Sequence, residues 1–147
     1  MRRLAFYCAV LTLLPATCVA RDLAVITDKA NPSIDVSGKD LVKLFRKDSS
    51  QWPDGRRATV FLGEPGSADG KLVLEKIYGM SADQLKVFVT KQKDIVVLGS
   101  DELVIKAVAE HPGAIGIVNV YAISSAVKVL KVDGKLPLDQ GYFLRGK

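Results

Sequence analysis

Cysteine is almost absent from this chain, and both of its cysteines, Cys8 and Cys18, fall within the first twenty of the 147 residues. Everything after residue 20 therefore has neither a disulfide nor a thiolate metal site to hold it, and its core must do so unaided. Histidine is reduced to one residue, His111. A site of several histidines is excluded, as are a cysteine nucleophile beyond residue 20 and a Gly-x-Ser-x-Gly elbow before a helix. Lysine and arginine come singly or in pairs such as Arg56-Arg57, and only 7% of residues are aromatic, so no basic and aromatic track exists for a nucleic acid. Nor is there a clean membrane span, because the longest apolar stretch, Leu4 to Ala20, is 17 residues and is interrupted by Thr12, Pro15 and Thr17.

That stretch has another use. Arg2-Arg3, the apolar run Leu4 to Leu14, the helix-breaking Pro15 and the small-residue ending Cys18-Val19-Ala20 before Arg21-Asp22 form an export signal with cleavage expected after Ala20. A lipidated Cys18 is the lesser alternative, since Pro15-Ala16-Thr17 approaches it poorly. The expectation is a periplasmic or secreted protein of one domain, residues 21–147. Without Arg2 and Arg3 the 21 basic residues fall to 19 against 16 acidic ones, a formal charge of +3 that mildly favours small anions. Hydrophobic residues at 48% and charged ones at 25% are the composition of a folding domain rather than a disordered one.

Apolar spacing lays out the elements. A β-rich run covers Leu23 to Thr27, ended by Asp28 and the turn residues Asn31-Pro32-Ser33. Ser37 caps a helix from Gly38 to Lys47 whose stripe is Leu41, Leu44 and Phe45. Trp52-Pro53-Asp54-Gly55 is a turn, and a strand follows from Ala58 to Leu62. The loop Gly63-Glu64-Pro65-Gly66-Ser67 then leads into a helix from Ala68 to Tyr78, ended by Gly79. Ser81 and Ser100 open two more helices, with a short strand Ile95 to Leu98 between them. Ala114 to Val118 is a buried strand, and Val127 to Val132 one that is half exposed at Lys128 and Lys131. Strands alternating with helices define a single α/β domain with a mixed sheet covered by helices.

In such sheets ligands bind beyond the carboxyl ends of strands, which points to the loop from Gly63 to Gly70. Gly63 and Gly66 let a ligand approach the backbone, and the helix that starts near Ala68 offers unpaired N–H groups. Gly70-Lys71 imitates a nucleotide-binding loop, but Pro65 stands for its first glycine and Leu72 for its hydroxyl, so a nucleotide is excluded. Two readings of Ser67 stay open: an anion contact, or simply the cap of its helix. Trp52 is expected to pin its turn to the core, His111 to sit at a helix end, and Arg56 and Arg57 to be solvated turn charges.

Three segments occur in order: Leu41-Val42-Lys43-Leu44-Phe45 leading to Trp52-Pro53-Asp54-Gly55; Gly66-Ser67 opening a helix; and His111-Pro112-Gly113-Ala114-Ile115-Gly116-Ile117-Val118. Together they resemble the substrate-binding proteins of phosphate ABC transporters, over most of residues 23 to 132. The resemblance implies one lobe of a type 2 periplasmic-binding fold, about half of the two-lobed protein. It implies a small, phosphate-like anion held at Gly66, Ser67, Ala68, Asp69 and Gly70, no cofactor, no catalysis, and a membrane permease or other envelope protein as partner. Gly63 and Pro65 stand where that family has an arginine and an aspartate, and Ala68-Asp69 where it has Gly-Thr. Asp69 opposes an anion unless a cation or a shared proton compensates. The alternative implied is a lobe without ligand that binds a protein, or a second copy of itself as a homodimer.

Overall fold

The computed structural model describes residues 21–146; the expected export signal lies outside them. The six strands are β1 (Leu23–Asp28), β2 (Asp35–Val36), β3 (Thr59–Leu62), β4 (Ile95–Val97), β5 (Ala114–Asn119) and β6 (Val127–Val132). They form one mixed sheet in the order β2-β6-β1-β5-β3-β4. Strand β1 runs antiparallel to both neighbours, β5 and β6, whereas β5, β3 and β4 are mutually parallel and β2 is parallel to β6. Every residue of β1 is buried, which is why it reads as an unbroken apolar run rather than an alternation. Leu23 and Val25 face one core, Ala24 and Ile26 the other.

The first core lies under helices α1 (Gly38–Arg46), α2 (Ala68–Val73) and α3 (Ala82–Thr90); the second lies under α4 (Asp101–Glu110). Burying each Leu, Ile, Val or Phe contributes about 1.5–3 kcal/mol, and no crosslink adds to it. All four helices start on serine. The hydroxyls of Ser37, Ser67, Ser81 and Ser100 accept from the amides of Asp40, Gly70, Gln84 and Leu103, and Gln84 completes a capping box with Ser81. On β5, Gly116 lets α4 lie close: a Cβ there would sit 2.9 Å from Val104 Cγ1 and 3.1 Å from Val108 Cγ2.

Three details depart from the apolar spacing. The expected helix from Ala68 to Tyr78 is α2 followed by a π-helical turn, Leu74–Tyr78, which ends at Gly79 in the left-handed region. The wider turn lets Leu72, Val73 and Leu74 be buried together with Ile77 and Tyr78, which a uniform 3.6-residue period would spread round the helix. Strand β2 is only two residues long and carries no periodicity to read. Strand β6 exposes Lys131 as expected, but Lys128 is half-buried and its ammonium donates to the Asn31 carbonyl.

The two ends of the described chain are bound to each other. Leu23 N–H donates to Leu144 O at 3.1 Å, Gly146 N–H donates to Arg21 O at 2.6 Å, and Asp22 pairs with Arg145 across an antiparallel bridge.

Candidate functional site

The carboxyl ends of β3, β4 and β5 and the amino end of β1 lie at the same edge of the sheet, because β1 opposes β5 and pairs Leu23 with Asn119. A cavity of about 190 Å³ opens there. The loop after β3 supplies Gly63, Glu64, Pro65 and Ser67, α2 supplies Asp69 and Gly70, and the loop from β4 into α4 supplies Gly99 and Asp101. The expected loop therefore does border a cavity at the carboxyl ends of strands, with Ser67, Asp69 and Gly70 in its wall, whereas Gly66 and Ala68 of the expected set are not part of that wall.

Each expected residue has a definite place. The Ser67 hydroxyl donates to Glu64 O at 2.7 Å and accepts from Gly70 N–H at 2.9 Å, so its proton and the Gly70 amide are both engaged within the loop. The amides of Ala68 and Asp69, in the first turn, have no intrahelical acceptor. Gly70 is glycine for steric reasons, since a Cβ would lie 2.2 Å from Glu64 O. At Gly66 a Cβ would meet nothing nearer than Glu64 Oε1 at 3.6 Å, so the chain itself does not require that glycine.

Asp69 is already partnered. One oxygen accepts from Arg21 Nη1 at 3.1 Å and the other from Asn119 Nδ2 at 3.2 Å. The compensating cation that an anion site would need beside Asp69 is thus present, delivered from 48 residues away. Asp101 Oδ2 accepts from the Asn119 amide at 3.1 Å. Burial, as the largest cause, pushes the Asp101 carboxyl above the usual carboxylate range; the Asn119 N–H opposes this, and the charges of Asp69 and Glu102 reinforce it. Arg21 and Asn119 were not legible beside the candidate site, and Asp101 was not singled out for it. The signal for Asp101 was available, since it opens a helix directly after a strand.

The remaining candidates form a structural cluster at the opposite end of the sheet. Trp52, 2% exposed, donates its indole N–H to Gly113 O at 2.9 Å. Gly113 N–H donates to Asp28 Oδ1 at 3.0 Å, and Arg56 donates to Asn31 Oδ1 at 2.6 Å and to Asp54 Oδ2 at 2.7 Å. Arg57 pairs with Asp94. His111 stacks obliquely on Phe61 with ring centroids 5.2 Å apart, and its Nδ1 lies 2.7 Å from Ala107 O. A second hollow of about 280 Å³ lies between α1 and the Trp52–Gly55 turn, with Asp40 and Lys43 on its wall. Among the described residues no group of three or more His, Cys, Asp or Glu is placed to hold a metal ion, and no helix is long and apolar enough to cross a membrane.

No protein-family model matches the chain, and no curated protein matches it in sequence. Solved structures do. The chain is similar to an ABC-type phosphate transport receptor from Vibrio cholerae, with a TM-score of 0.72 and 14% identity over 86% of this chain and 54% of that one. It is similar to PstS from Borrelia burgdorferi, with a TM-score of 0.71 and 16% identity over 87% of this chain and 55% of that one. A phosphate-binding protein from Stenotrophomonas maltophilia gives 0.65 and 19%, over 80% of this chain and 40% of that one. The likeness is one of fold: a mixed α/β lobe of the kind found in phosphate-binding proteins of ABC transporters, spanning about half the length of the proteins it matches.

Proposed function

We propose that the protein is an exported, non-enzymatic solute-binding lobe that holds a small anion, phosphate-like, at the Gly63–Gly70 loop for an ABC-type uptake or sensing system. The observation that carries this is the cavity at the carboxyl ends of β3 and β4, whose wall includes Ser67, Asp69 and Gly70 at the start of α2 and beside which Arg21 offsets the charge of Asp69. Ser67, Asp69 and Gly70, with the flanking Gly66 and Ala68, would form the contact, the Asp69 N–H, without an intrahelical acceptor, serving as donor. The likeness in fold to phosphate-binding proteins supports the same reading, and a permease or another envelope protein would receive the ligand.

Thermal unfolding of the purified protein with phosphate tests it, against sulfate, a carboxylate and chloride at matched ionic strength. A ligand that binds only the native state stabilises by about 2.7 kcal/mol at a hundredfold excess over Kd, which is several degrees for a domain of this size. A saturable rise with phosphate beyond the chloride control is expected; no rise with any anion would overturn the reading.

A second reading is favoured by one observation: besides Asp69, the carboxylates of Glu64 and Asp101 line the cavity, and both resist an anion. Tyr121, 81% exposed, and Leu103, 50% exposed, lie two residues from Asn119 and Asp101, which are hydrogen-bonded to each other beside that cavity. On this reading the same edge docks a protein or a second copy of the chain. Light scattering on the eluting protein would separate a homodimer from a monomer.

A further inference from the structure

We propose that the ligand of this cavity is an anion bearing a short apolar group, an alkyl oxyanion rather than bare inorganic phosphate. The inference rests on the anion-binding reading above and adds the other half of the ligand. Polar groups occupy only part of the wall, at Glu64, Ser67, Asp69 and Asp101; much of the rest is Leu23, Leu62, Val73, Leu85, Ile117 and Val118. None of these six is more than 8% exposed, so they form a sheltered apolar wall rather than an exposed patch. Five of them belong to the first core and come from β1, β3, α2, α3 and β5, which places the cavity between the sheet and the helices covering its first face, while Val118 belongs to the second core.

A tetrahedral, strongly hydrated ion gains nothing from such a wall. Small-molecule sites are generally apolar with a few placed polar groups, and this division into a polar rim and an apolar floor fits a ligand divided in the same way. The volume leaves room for the tail, since one water occupies about 30 Å³ of the liquid against the 190 Å³ found here. Charge narrows the head. Arg21 offsets only one of the carboxylates around the mouth, so a singly charged head is less repelled by Glu64 and Asp101 than a doubly charged one.

Calorimetric titration of the purified protein with inorganic phosphate and with n-alkylphosphonates from methyl to hexyl tests the proposal. Affinity should rise about fourfold per added methylene while the chain fills the cavity, and then level off. Val73→Phe, which fills the cavity, should flatten the series; the wild-type series decides the matter even where that variant does not fold. Phosphate binding with no gain along the series would overturn the alkyl inference and leave the anion reading standing. No binding by any phosphonate or by phosphate would overturn both. A gain along n-alkylamines instead would overturn both in the other direction, the carboxylates then selecting a cation.

Discussion

The indole N–H of Trp52 donates to the carbonyl oxygen of Gly113 across 61 residues of sequence, and that bond ties two of the three segments that resemble phosphate-binding proteins to each other rather than to a ligand. Gly113 adopts φ +80°, and a Cβ there would lie 2.5 Å from Arg57 O, so glycine is required both by backbone conformation and by space. The Trp-Pro-Asp-Gly turn and the Pro-Gly strand entry are therefore parts of one joint, remote from the cavity.

Trp52→Phe should lower stability by about 1–3 kcal/mol, because the buried Gly113 carbonyl loses its partner while the aromatic body is kept. Denaturant unfolding measures this. Anion binding, if the site is the cavity at the other end of the sheet, should be unchanged in the variant.

Arg21→Gln should weaken phosphate binding by up to about fivefold, the scale of an exposed charge pair, by leaving Asp69 uncompensated at the cavity. Asp69→Asn should strengthen it, since it removes the repulsion and frees the guanidinium. Titration of both variants and of the double variant measures the coupling; equal affinities in all four proteins would show that Arg21 and Asp69 do not act on the site.

Asp101 gives a dependence on pH with a definite sign. Its carboxyl is raised in the folded state, so the native protein binds that proton more tightly than the unfolded chain does, and stability falls as pH rises through the native pKa. Asp101→Asn keeps an oxygen for the Asn119 amide and removes the titration. The variant should be the more stable protein at pH 7, with its advantage shrinking as pH falls toward 4. Unfolding curves across that interval check it.

Leu138 occupies the left-handed region at φ 78° and is 60% exposed. It follows Pro137 in a turn closed by the Asp139 N–H on Leu136 O at 3.1 Å, a position where glycine is favoured. Leu138→Gly should raise stability by about 0.5–1 kcal/mol, because the strain relieved exceeds the little apolar burial lost.

The secondary structure was legible wherever a cap and an apolar stripe coincide. Ser37, Ser67, Ser81 and Ser100 each mark a helix start, Gly79 marks an end, and Leu41, Leu44 and Phe45 mark the buried face. Strand β2 was hidden because two residues have no period, and the π-helical turn because the spacing of Leu74, Ile77 and Tyr78 suits an ordinary helix as well. The candidate site was legible only as a loop. Loop chemistry pointed to Gly63–Gly70, which borders the cavity, but Arg21 and Asn119 reach Asp69 only through the antiparallel pairing of β1 with β5, a long-range contact that no local pattern encodes. The same folding explains why Ser67 was ambiguous. Its proton goes to Glu64 O, a choice set by loop geometry that composition does not reveal.

The hydrogen bonds that join Arg21 to Gly146 and Leu23 to Leu144 make the described chain nearly a closed ring. Cutting such a ring elsewhere should cost little: a short linker from Gly146 to Arg21, with new ends opened at the exposed loop residues Ser124 and Ser125, ought to give a permuted protein with the same sheet. It also brings the two ends of the described chain to one location beside Asp69, so a tag joined directly at Arg21 or Gly146 would crowd the cavity mouth, whereas a label at the exposed Ser125 would leave it open.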